Sequence, residues 1–133
     1  MATVHTSAIV LYASLAGNLF LALAAAGYAV GRRPLPSWYW FVIGAVVVLV
    51  AAQVGSGLAL LVGGAAPRRG LHLMYGALVA VTGAIQLGLR PGGFLRRRYA
   101  GDLSGSDARI LALLSLTAFA LIARAWMTGV GAR

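Results

Sequence analysis

SWYWFVIGAVVVLVAAQVGSGLALLV, residues 37–62, carries no charged side chain. At 1.5 Å per residue, a helix of this length extends ~39 Å, more than the ~30 Å of a bilayer's hydrocarbon core. Pro36 before the run and Gly63-Gly64 after it mark its ends. Three further runs share its character. One covers about 7–30 and stops at Gly31-Arg32-Arg33-Pro34; one covers about 71–89 and stops at Arg90-Pro91-Gly92-Gly93. The last covers about 110–130 and is opened by Ser106-Asp107, with either residue suited to cap the helix and the Asp charge suited to its positive end. Each nears or exceeds the ~20 residues that a spanning helix needs. A helix satisfies its own backbone hydrogen bonds, as a segment surrounded by lipid must.

Composition agrees with this. Of 133 residues, 61% are hydrophobic and 10% charged, and the mean hydropathy is +0.90. Soluble domains are about a quarter charged, and a soluble fold of this size has too little interior to hide so much apolar surface. The expectation is a single transmembrane domain over 1–133: an all-α, integral membrane four-helix bundle in the cell membrane.

The first run raises the question of a cleaved signal peptide. Such peptides carry positive charge before their apolar region, whereas here Arg32 and Arg33 follow it, so an uncleaved span is expected. The net charge of +9 is carried by arginine alone. Clusters between apolar runs point to membrane topology and anionic lipid rather than nucleic acid. Arg32, Arg33, Arg90, Arg96, Arg97, Arg98 and Arg109 fall on one side; Arg68, Arg69 and Arg133 fall on the other. The richer side should be cytoplasmic. That makes 31–36 and 90–109 cytoplasmic loops and places both termini on the extracytoplasmic side. Trp38 to Phe41 then suit an aromatic belt at the inner surface and Trp126 one at the outer. The basic patch Arg96, Arg97 and Arg98 is expected to rest on lipid headgroups, or to dock a partner.

Small residues recur every four positions at Ala51, Gly55, Ala59 and Gly63, and again at Gly76, Ala80, Ala84 and Gly88. Such stripes let membrane helices approach closely, within a chain or between copies. An oligomer or a larger membrane complex follows as an expectation.

Polar residues inside the runs name candidate sites. His72, Tyr75, Thr82 and Gln86 share one helical face; Ser7, Ser14 and Asn18 share another. Gln53 and Ser56 lie in the second run, and Thr117, Arg124 and Thr128 share a face of the last. Arg124 has no carboxylate near it, because Asp102 and Asp107 lie at the opposite end. Its partner is one of three: outer-leaflet phosphates reached by snorkelling, internal carbonyls with Gln53, Tyr75 or the C-terminal carboxylate, or a bound anion. His72, Tyr75, Gln53 and Arg124 therefore form a candidate ligand pocket in the outer leaflet. His72 and His5 are candidate axial ligands for haem b, and a quinone headgroup is a related possibility.

Other chemistry is disfavoured. Without Cys there is no thiolate metal site and no thioether-linked haem. Without Lys no Schiff base can form on a lysine side chain, and without Glu or an intramembrane Asp a carboxylate proton relay lacks its acid. No catalytic residues and no metal site are expected. Three functions are left: a non-enzymatic accessory or interaction subunit, a haem or quinone binder, and an oligomeric anion pathway.

Overall fold

The computed structural model describes residues 7–64, 70–98 and 107–130. All regular structure among them is helical: α1 (Ala8–Val30), α2 (Ser37–Val62), α3 (Gly70–Gly88), the short α4 (Phe94–Arg98) and α5 (Asp107–Val130). Four of these, all but α4, are long and apolar enough to cross a membrane. The chain is a multi-pass integral membrane protein. Its long helices form a ring in which α1 packs on α2 and α5, and α3 packs on α2 and α5.

Local chemistry sets the ends. Ser7 caps α1 by accepting a hydrogen bond from the Val10 amide. At the other end of α1 the Arg33 amide donates to Tyr28 O and the Arg32 amide to Ala29 O. That is the Schellman closure, with Arg32 at φ 50° where glycine is usual. Leu35 and Pro36 lead directly into α2, whose Pro36 cap supplies no side-chain acceptor. Beyond α3 the expected loop 90–109 contains structure of its own. Arg90-Pro91-Gly92-Gly93 forms a turn closed by Gly93 N–H to Arg90 O at 2.8 Å, with Gly92 at φ 76°. Proline second and a positive-φ glycine third are the requirements of a type II turn. The turn folds α4 back so that Phe94 and Leu95 cover Gly88.

The interior is layered. At the arginine-rich end Leu21, Ala25, Tyr39, Ile43, Val46 and Leu111 form one apolar cluster. At the opposite end Leu11, Val50, Val79 and Ile122 form a second, one residue from each long helix. Between them lie buried polar residues: Ser14, Asn18, Thr82, Gln86 and Ser115. Helix α1 approaches α2 closely at Gly17, where an added Cβ would sit 2.6 Å from Val46 Cγ2. Gly83 of α3 meets Val47 in the same manner, but at an ordinary contact distance of 3.5 Å.

Candidate functional site

Three regions hold the polar chemistry. The first is the central layer. Ser14 and Asn18 bond to their own helix: Ser14 Oγ donates to Val10 O and Asn18 Nδ2 to Ser14 O. Thr82 does likewise with Leu78 O. Gln86 is different, because its bonds run between helices. Its Nε2 donates to Ser115 Oγ on α5 at 3.1 Å and to Asn18 Oδ1 on α1 at 3.4 Å. Gln86 and Asn18 are each 1% exposed and Ser115 0%. Tyr39 of α2 is equally buried, and its hydroxyl donates to Leu21 O at 3.3 Å. No buried side-chain polar atom among the described residues lacks a partner. The layer is a closed hydrogen-bonded lock that links α1, α3 and α5.

The sequence pattern had pointed elsewhere on α5. Thr117 and Arg124 are exposed, and the buried face is Ala108, Leu111, Ser115, Ala118 and Ile122. Helical spacing groups Thr117, Arg124 and Thr128 correctly on one face but does not say which way that face turns. Ser115 lies on the inward face and was missed because a lone serine among leucines gives no pattern. Tyr39 was missed as an interior residue because its aromatic neighbours suggest a belt. Trp38 and Phe41 are indeed exposed, and Trp38 rests on Phe20 and Tyr28 of α1.

The second region lies at the far end from the arginine clusters. His72, Tyr75 and Gln53 are half-buried, whereas Arg124 is exposed. His72 Nδ1 lies 2.9 Å from Ala125 O. A carbonyl only accepts, so Nδ1 carries the proton and ties the start of α3 to the last turns of α5. His72 and Gln53 each have further polar interactions. Arg124 is neighbour to Ala125 in sequence, yet no hydrogen bond or ion pair of its guanidinium is seen among the described residues. It stands ~9 Å from the end of α5 by helical rise, with its side chain on the outer surface. His5, Arg68, Arg69, Asp102, Ser106 and Arg133 lie outside the described residues. Among the described residues no three His, Asp or Glu side chains gather to hold a metal ion.

Comparison with family models, curated proteins and solved structures found no match.

The third region is the arginine-rich end. Arg97 and Arg98 are exposed, but Arg96 turns inward. Its Nε donates to Leu89 O at 2.9 Å, its Nη2 pairs with Asp107, and its guanidinium lies 5.8 Å from the Trp40 ring centroid. One side chain of α4 thus holds the carboxyl end of α3, the amino end of α5 and the amino end of α2.

Last, the small-residue stripes face outward. Ala51, Gly55, Ala59 and Gly63 of α2 are all exposed. On α3, Ala80 and Ala84 are exposed, Gly76 is half-exposed, and only Gly88 is buried, beneath α4. An added Cβ at Gly55 or Gly76 would meet nothing within 4 Å. The close approaches inside the bundle use Gly17 and Gly83 instead.

Proposed function

We propose that this chain is a non-enzymatic accessory or interaction subunit that assembles, with itself or with a larger membrane complex, through the outer face of α2 and α3. The observation that supports this is the outward direction of the small residues. Glycine in a helix interior costs up to ~1 kcal/mol relative to alanine. At Gly55 and Gly76 an added Cβ would meet nothing among the described residues, so no close helix approach there repays that cost. Stripes of small residues are the means by which helices associate in lipid, and α2 and α3 are neighbours, so their stripes belong to adjoining surfaces. The arginine distribution supports an orientation with both termini on the extracytoplasmic side.

The test is the mass of the purified protein in mild detergent and in lipid nanodiscs. Wild type should run as a multiple of the 13.7 kDa chain or with a co-purifying partner. Gly55→Leu combined with Gly76→Leu should release the lone chain with its helix content unchanged. Identical assemblies for wild type and the double variant would reject this face as the assembly surface.

A further inference from the structure

The arginine-rich end holds a half-open cleft of about 240 Å³, lined by Arg33, Pro34, Leu35, Trp40, Arg96 and Asp107 among others. It forms where the α1–α2 turn, the start of α2 and the start of α5 meet the turn after α3. All of these are ends of spanning helices, so the cleft sits at the level of lipid headgroups.

Its charges do not cancel. Arg96 and Asp107 neutralise one another, and Arg33, exposed and on the cleft wall, has no acidic partner among the described residues. Arg96 uses one N–H on Leu89 O and one on Asp107. A guanidinium has five N–H groups, so three remain. Two guanidiniums and one carboxylate call for a ligand with one negative charge and several acceptor oxygens. A phosphodiester has both properties, and guanidinium groups bind phosphate through paired hydrogen bonds. Pro34, Leu35 and the Trp40 ring supply an apolar wall for the adjoining glycerol. The cleft is smaller than the ~300–1,000 Å³ of pockets that enclose whole small molecules. It takes a headgroup and leaves the acyl chains along the outside of the bundle.

We propose that this cleft is a specific site for the phosphate of an anionic phospholipid, with Arg33 and Arg96 as its ligands. The site differs from general attraction to a basic surface, because Arg97 and Arg98 do not line it. It is independent of the assembly face on α2 and α3.

The experiment is native mass spectrometry of the full chain in neutral detergent. It is titrated separately with phosphatidylglycerol, phosphatidylcholine and inorganic phosphate. The first phosphatidylglycerol should bind about tenfold more tightly than phosphatidylcholine, and millimolar inorganic phosphate should not displace it. Arg33→Gln should weaken that first binding event about tenfold, the effect of losing one charge-assisted hydrogen bond. Arg33→Lys should recover part of it, and Arg98→Gln should change it less than about twofold. Among the described residues the Arg33 side chain makes no hydrogen bond or ion pair, so unchanged circular dichroism is expected for its variants. Equal losses for Arg33→Gln and Arg98→Gln, or no loss for Arg33→Gln, would overturn the site. Displacement of the lipid by inorganic phosphate would overturn the assignment to lipid.

Discussion

Replacing Gln86 with leucine should destabilise the bundle, and replacing Ser115 with alanine as well should cost less than the two single changes added together. Two interhelical hydrogen bonds disappear in Gln86→Leu. The bond to Ser115 Oγ is of ordinary length at 3.1 Å, while that to Asn18 Oδ1 is long at 3.4 Å. Interhelical hydrogen bonds in membrane proteins average ~0.6 kcal/mol, with a maximum near 1.7. The direct loss is then about 1 kcal/mol. The acceptor left on Asn18 has no water to turn to and adds a desolvation term of about 1 kcal/mol. A total of about 2 kcal/mol is expected. Ser115→Ala alone leaves one Gln86 N–H unanswered, for about 1–2 kcal/mol. The double variant removes donor and acceptor together, so its loss should fall below the sum of the singles by about 1 kcal/mol. The assay is a sodium dodecyl sulfate titration of the protein in mild detergent, followed by far-ultraviolet circular dichroism and arranged as a double-mutant cycle. Single-variant effects that add within ~0.3 kcal/mol would show that Gln86 and Ser115 are not coupled.

Three other outcomes follow from the packing. Gly17→Val should lower stability by about 1–3 kcal/mol in the same titration, since Val46 already occupies the space; Gly55→Val should leave the folding of the single chain unchanged, and equal effects would contradict the assigned faces. Arg32→Gly should raise stability by about 0.5–1 kcal/mol. It relieves the left-handed strain at φ 50°, partly offset by glycine's greater freedom in the unfolded chain; a lower midpoint would argue against strain there. Asp107→Asn should loosen α4, read as faster hydrogen exchange at amides 94–98, with a global cost under about 1 kcal/mol because the pair is 28% and 17% exposed. Unchanged exchange would mean that Leu89 O and Trp40 suffice to hold Arg96.

The number of spanning helices was legible because hydrocarbon thickness demands a run length that few other contexts need. Leu11, Val50, Val79 and Ile122 could not be picked from the sequence in the same way. In lipid the outside of a bundle is as apolar as its inside, so α5 shows leucines on both faces. Polar residues were the better guide, and they led correctly to Asn18, Thr82 and Gln86 as buried groups. On α5 they left the direction open: Thr117 and Arg124 face out, as lipid-seeking side chains do, and Ser115 faces in. The glycines carried a parallel ambiguity. Repeats at Gly55 and Gly76 stood out by their length, yet the approach inside the bundle is made at Gly17, whose four-residue spacing reaches only Ala13. The inward turn of Arg96 was hidden because a run of three arginines looks uniform until the Pro91-Gly92 turn brings α4 back toward Asp107.

The way Ser14, Asn18 and Thr82 bond to their own helices bears on the birth of the molecule. Each of these side chains has a local acceptor as soon as its helix forms, so α1 and α3 can enter lipid one at a time. The amide of Gln86 is the exception: its shorter bond waits for Ser115 on α5, which is synthesised after α1, α2 and α3. Until α5 arrives, α3 is held short of its final partners. Helix α5 therefore acts as the keystone of insertion: until it packs, Gln86 has only its longer bond to Asn18 across the centre of the bundle.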